Sequence, residues 1–174
     1  MVKKLLLCLV FAVLLISVGR CFAEDMTMAL VKQKVNEAVS MLAVEGKAGF
    51  DAIRDPNGSF RFGNGQGYIW IHDIEGWMIV HPTQPHLENT QTINLQDSRG
   101  YRFIAAMNKL VSEHEEGWVA YLWPKPGRKD EAYKIAFVKK AMIEGKPYVV
   151  GCGMYDVGVV DLKQKFPNDI VEKY

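Results

Sequence analysis

The stretch GYIWIHDIEGWMIVHP, residues 67–82, holds two short runs rich in aromatic and β-branched residues, Tyr68 to Asp73 and Trp77 to Pro82, around Ile74-Glu75-Gly76. Runs of this length and composition, joined by a glycine-bearing turn, predict a β-hairpin. Side chains alternate along a strand, so Tyr68, Trp70 and His72 share one face and Ile69, Ile71 and Asp73 the other; on the second strand Trp77, Ile79 and His81 fall together. The hairpin is half aromatic and closes on His81-Pro82.

Upstream, residues 26 to about 54 hold no proline, and apolar residues recur at Met28, Val31, Val35, Val39, Leu42, Phe50 and Ile53. Spacing by three and four predicts a long amphipathic helix, bent or divided at Gly46 and Gly49. Asp55-Pro56-Asn57-Gly58 ends it, because proline disfavours helix at the preceding residue and Asn-Gly is turn chemistry. Downstream, TQPHLENTQTINLQD (83–97) is polar and proline-bearing and reads as a loop. Asp97 or Ser98 is the expected cap of a helix running to about His114. Three further strands are predicted, Gly117 to Trp123, Ala132 to Ile143 and Tyr148 to Val157, then a short helix from Leu162 to Phe166. Strands joined by tight turns imply an antiparallel sheet of five strands, with the helices on one side of it and a pocket or partner on the other. The fold class is α+β.

The N-terminus has Lys3 and Lys4, an apolar run from Leu5 to Val18, and Cys21 and Ala23 at cleavage-type spacing. This is the pattern of a secretory signal peptide over residues 1–23, cut near Ala23. A retained anchor is the alternative, although the run is shorter than the roughly 20 residues a membrane-spanning helix needs. Removing 23 of 174 residues leaves 151, the size of one domain. Lys3, Lys4 and Arg20 leave with the leader, so 21 basic residues become 18 against 20 acidic, and the formal charge passes from +1 to −2. No nucleic-acid partner is implied. Cys152 remains as a single cysteine in an apolar run, which reads as a buried, inert thiol.

The segments EGKAGFDAIRDPNGSFRFGNGQGYIWIHDIEGWMIVHP, DSRGYRFIAAMN, GWVAYLWPKP, KIAFVKK and YVVGCGMYD resemble, in that order, the single Cache domain family of the kind called Cache type 2, from about residue 40 to 157. The resemblance implies a PAS-like antiparallel sheet of five to six strands behind a long N-terminal helix. It also implies an extracytoplasmic sensor role of the kind found in chemoreceptors and histidine kinases, with a small organic acid as a frequent ligand. The expectation is a free-standing periplasmic or secreted form, residues 24–174.

Within that frame His81 is the first candidate for ligand binding, matching the family's His-Pro; an imidazole at a strand end donates to a carboxylate or caps the strand. Tyr121 and Trp123 share a strand face and bring a phenol and an indole N–H, and Tyr68 and Trp70 line the hairpin. Lys134 balances an anion or lies solvated at an edge. Tyr101 and Arg102, near a helix start, complete the set as a carboxylate clamp.

The four histidines show no metal-binding spacing, and no zinc site or other cofactor is expected. GNGQG (63–67) precedes a strand and is a turn rather than a phosphate loop. No Gly-x-Ser-x-Gly occurs, and no nucleophile and base stand out, so an enzyme is not expected. The expected partners are a small anionic metabolite, a membrane-bound receptor or kinase, and a second copy through the N-terminal helix. A protein-interaction module without a small ligand is the alternative.

Overall fold

The computed structural model describes residues 25–173; the expected leader, residues 1–23, lies outside them. Helix α1 (Met28–Glu45) is capped by Thr27, whose hydroxyl oxygen accepts the Leu30 N–H at 3.1 Å. Its buried residues include Val31, Val35 and Leu42 of the stripe that the spacing predicts, with Ala38 buried where Val39, half-buried, was expected. At Gly46 the backbone turns left-handed (φ 61°), and a 3₁₀ turn (Gly46–Gly49) leads into α2 (Phe50–Arg54), so the long helix is divided where its glycines fall. Asp55 then stops it, its carboxylate accepting the Asn57 N–H at 2.9 Å.

Strands β1 (Arg61–Phe62), β2 (Gly67–Asp73) and β3 (Met78–Val80) follow, then a second 3₁₀ turn (Pro85–Leu87), helix α3 (Phe103–His114), strands β4 (Glu116–Pro124), β5 (Glu131–Ile143) and β6 (Lys146–Tyr155), helix α4 (Val159–Lys165) and strand β7 (Val171–Lys173). The sheet order is β1-β2-β6-β5-β4-β7, with β3 also paired to β2. All pairings are antiparallel except β7, which runs parallel to β4. The fold is thus α+β, an N-terminal helix packed on a mostly antiparallel sheet. Strands β1 and β7 are too short to show a pattern in sequence, and they extend the five read there to seven.

Three expectations need correction. Helices cover both faces of the sheet, not one. Ile69, Ile71, Ile135, Phe137, Val150 and Cys152 face α1, whereas Tyr68, Trp70, Val119, Tyr121, Ala136, Val138 and Val149 face α3. Central strands read as continuous apolar runs because both faces are buried.

Second, Trp77, Ile79 and His81 do not share a face. The β2–β3 register places Val80 opposite Ile71 but Met78 opposite His72, a bulge that makes Ile79 the extra residue. Met78 therefore joins the α3-side core and Val80 the α1-side core, while Trp77 is left exposed.

Third, α3 begins at Phe103 and has no side-chain cap. Asp97 is used elsewhere. Its buried carboxylate accepts the backbone N–H groups of Arg99 (3.0 Å), Tyr101 (3.0 Å) and Leu122 (3.0 Å) and pairs with the Arg99 guanidinium at 3.1 Å, pinning the entry to α3 against β4.

The hairpin turn carries the loop that follows it. Gly76 is left-handed (φ 85°), and a Cβ there would stand 2.5 Å from the Ile93 Cβ. Its carbonyl accepts both the N–H (2.7 Å) and the hydroxyl (2.8 Å) of Thr92. Asn89 N donates to Met78 O (2.8 Å) and Met78 N to Thr90 O (3.0 Å), so residues 83–97 lie along the edge of β3 as a hydrogen-bonded strap.

Candidate functional site

Lys134 lies near the start of β5, opposite Tyr121 on β4 and Tyr155 on β6. Strand alternation turns it to the α3 side, where it is 1% exposed. Its Nζ donates to Tyr68 Oη at 2.8 Å and lies over four rings, with centroids at 4.6 Å (Tyr68), 4.9 Å (Trp70), 5.2 Å (Tyr155) and 5.9 Å (Tyr121). Among the described residues it takes part in no ion pair with a carboxylate. Ring quadrupoles replace part of the hydration of an ammonium, at about 0.5–2 kcal/mol per contact. Burying a charge still costs several kcal/mol when no opposite charge faces it.

Above this cage, residues Trp70, Met78, His81, Leu87, Leu95, Phe103, Ile104, Tyr121, Trp123 and Lys134 close around a cavity of about 10 Å³, room for one water. His81 is 4% exposed. Its Nδ1 accepts the Gln84 N–H at 3.1 Å, which fixes the tautomer and leaves Nε2–H as the donor. Burial, and then the charge of Lys134, pull the imidazole down to about 3, so it is neutral at ordinary pH. The His81 ring lies 5.3 Å from Tyr68 and 6.3 Å from Trp123. Its backbone N–H donates to Glu88 Oε1 at 2.8 Å, and Glu88 pairs with Arg54 at 3.1 Å, which ties the strap to α2.

The wall opposite comes from the first turn of α3. Phe103 stacks on Tyr121 with centroids 4.4 Å apart and meets Trp123 edge-on at 5.3 Å. Burial raises the Tyr121 phenol well above its usual range, so it stays protonated.

The structure brings Trp70, His81, Tyr121, Trp123 and Lys134 to one cavity and sets Tyr68 directly beneath it as the partner of Lys134. Tyr101 packs beside this cluster without lining the cavity. Arg102 is exposed at the N-terminus of α3 and bonds to Asn94. Met78, Leu87, Leu95, Phe103, Ile104 and Tyr155 were missed. Phe103 was legible as a helix-face residue but not as a pocket wall, and Leu87 and Leu95 are lone apolar residues in a polar loop.

His72 shares the face of Tyr68 and Trp70 but reaches α3 instead. Asn108 Nδ2 donates to Ile74 O (2.9 Å), so its Oδ1 accepts His72 Nε2–H at 3.0 Å. His72 Nδ1 has no hydrogen-bond partner among the described residues, and burial lowers this imidazole to about 4. Cys152 is buried on the α1 side, and burial pushes its thiol up to about 12. No group of three or more His, Cys, Asp or Glu among the described residues is placed to hold a metal ion.

An antiparallel sheet sealed by an N-terminal helix on one face and cupped on the other around an aromatic pocket with one cation describes a sensor-type ligand-binding domain. The chain belongs to the Cache domain family, whose dCache_2 model matches residues 30–172. Over 103 residues it is 28% identical to the methyl-accepting chemotaxis protein McpP of Pseudomonas putida, covering 59% of this chain and 18% of that protein. Over 89 residues it is 32% identical to the sensor histidine kinase MctS of Rhizobium johnstonii, covering 51% and 19%. The chain thus spans about a fifth of the length of these curated relatives.

Among solved structures it resembles a periplasmic sensor domain of a chemotaxis protein, with TM-score 0.63 and 29% identity, covering 74% of this chain and 92% of that one. It also resembles a Cache chemosensory domain described for carboxylic acid recognition, with TM-score 0.62 and 27% identity, covering 75% and 91%. Cache domains are extracytoplasmic sensor modules, not catalysts. No helix among the described residues is long and apolar enough to cross a membrane.

Proposed function

We propose that this protein is an extracytoplasmic, non-catalytic sensor-type domain that captures a small organic acid and presents the occupied state to a membrane receptor or kinase. The observation that carries the reading is the Lys134 ammonium, held in an aromatic cage and facing no carboxylate among the described residues. A carboxylate beside it supplies the missing charge, and the neutral Nε2–H of His81 supplies a second donor. The rest of the lining is aromatic or aliphatic. It offers neither a carboxylate for an amino group nor a second cation for a second acid, which favours a monoanion with a short apolar tail.

The cavity is too small for such a molecule while Leu87 and Leu95 occupy its rim. Binding therefore goes with displacement of the 83–97 strap, which hydrogen bonds and the Arg54–Glu88 pair hold down. A ligand that fits only under a displaced strap shifts the population toward that state, and this difference is what a partner reads. Titration calorimetry and thermal shift of the purified protein against small carboxylates, amino acids and amines test the reading. Short monocarboxylates are expected to raise the melting temperature and the other classes not; a flat response to all of them sinks it.

The small cavity also favours a second reading, a protein-interaction module without a small ligand. Ile74 and Trp77, at 46% and 44% exposure on the hairpin, form an apolar point for contact. Sedimentation distinguishes the two: a concentration-dependent dimer lost in Trp77→Ser, with no acid bound, supports this alternative.

A further inference from the structure

Strand β6 carries two glycines, Gly151 and Gly153, that face the pocket side and have ordinary strand backbone. Glycine weakens a strand interior, so its presence here points to space rather than conformation. A Cβ on Gly153 would overlap the Lys134 Cε and stand 3.1 Å from its Cδ and Cγ; a Cβ on Gly151 would overlap the Trp70 indole, at 2.6 Å from Cε2 and 2.8 Å from Cη2. The lysine stem thus lies across the sheet in the trough left by Gly153, and that path brings Nζ to Tyr68 Oη. The indole lies flat over Gly151, and its other side faces the cavity.

We infer that Gly153 is the positioning residue that sets where the ammonium meets the ligand's carboxylate, and that Gly151 sets the depth available to the ligand's tail by fixing the height of Trp70. The inference rests on the acid-binding reading above. A methyl at 153 meets the Lys134 stem, at Cε, Cδ and Cγ, and no backbone among its nearest atoms, so the strain falls on that one side chain and the ammonium leaves its cage. Every acid, whatever its tail, then loses the same factor. A methyl at 151 lifts a rigid ring into the cavity, which penalises long tails and spares the shortest.

The test uses the full chain with Gly153→Ala, Gly151→Ala, Lys134→Ala and the Lys134→Ala/Gly153→Ala pair, and straight-chain monocarboxylates from acetate to valerate as probes. In protein labelled with ¹³C-lysine, the Lys134 Cε–H resonance is expected upfield of the free-lysine position, because four rings surround the ammonium, with no ligand needed. In Gly153→Ala it is expected to move back toward the free-lysine position, with affinity down about tenfold for all acids alike. In Gly151→Ala, acetate affinity stays within about twofold while the loss grows with chain length.

The stability lost in Gly153→Ala should vanish in the Lys134→Ala background, because the clash is with that side chain. The pair should therefore fold even where Gly153→Ala alone does not. An unmoved lysine resonance, or a stability loss that persists without the lysine, overturns the Gly153 assignment. A loss independent of chain length in Gly151→Ala overturns the Gly151 assignment. If the resonance moves but the wild type binds none of the acids, the acid reading fails and the positioning of Lys134 by Gly153 stands.

Discussion

Replacing Lys134 by methionine separates binding from stability. Methionine fills much of the same trough over Gly153 and removes the charge. The wild-type ammonium gains one hydrogen bond to Tyr68 Oη, about 1 kcal/mol net, and four ring contacts at about 0.5–2 kcal/mol each. Against this stands a desolvation cost of several kcal/mol for an ion with no opposite charge beside it. The two sides nearly cancel, and the variant also leaves Tyr68 Oη short of its partner.

Unfolding stability in urea is therefore expected to change by less than about 2 kcal/mol in either direction, which is under about 8 °C in melting temperature for a chain of this size. Binding behaves differently. A hydrogen bond to a charged group is worth about 1.5–3 kcal/mol, so calorimetry should show acid affinity falling by about 10- to 150-fold. A variant that binds acid within twofold of wild type while losing more than about 3 kcal/mol of stability would show that Lys134 only holds the sheet together, and the argument for an anion site would fall with it.

Three further outcomes concern the two buried histidines, Asp97 and Glu88. His72 and His81 are lowered to about 4 and about 3, so the unfolded chain takes up their protons first; their stabilisation is complete above about pH 6.5 and is lost as pH falls toward 4. Urea midpoints measured from pH 7 to 4.5 should fall with a slope approaching two protons, and His72→Gln should remove about half of it. Asp97→Asn turns amide hydrogens toward backbone donors and should cost about 2–4 kcal/mol by chemical denaturation. The wild-type carboxyl is held below its usual range by the N–H groups of Leu122, Tyr101 and Arg99 and by the Arg99 guanidinium, against the opposing and largest effect of burial. Its contribution is thus present above about pH 3.8 and lost below. Glu88→Gln weakens the link between α2 and the strap, and amide exchange over residues 83–97 should speed up about tenfold with the exchange of α1 unchanged.

Much of the fold was legible in the sequence because local chemistry and tertiary demand agree. The α1 stripe, the Gly46–Gly49 break, the hairpin and the three long strands each satisfy one rule that the structure also obeys. The departures occur where a residue serves a distant partner. Asp97 has the chemistry of a helix cap but saturates Leu122 on β4, across 25 positions of sequence. The bulge at Ile79 is a single extra residue that no alternation pattern announces, and it reverses which side chains of β3 see the pocket. Lys134 was legible as a candidate because a lysine leading an apolar strand can balance an anion, yet its burial depends on rings from three other strands and on a glycine beside it. Leu87 and Leu95 had no sequence pattern to mark them, because a strap gains its apolar contacts only once the hairpin beneath it exists.

The two faces of the sheet are built to different ends. The α1 side is closed by close-packed apolar side chains with no histidine or lysine among its core residues. The α3 side buries Lys134, His72 and His81 and keeps a small cavity. Such groups cost stability unless something is gained from them. Strand β4 belongs to both faces. Tyr121 and Trp123 line the pocket, while Trp118, three residues back from Tyr121, points the other way and donates its Nε1–H to Asp169 at 2.8 Å; the same carboxylate oxygen accepts Lys32 of α1 at 2.8 Å. Asp169 thereby ties β4 to α1 and to the segment leading into β7.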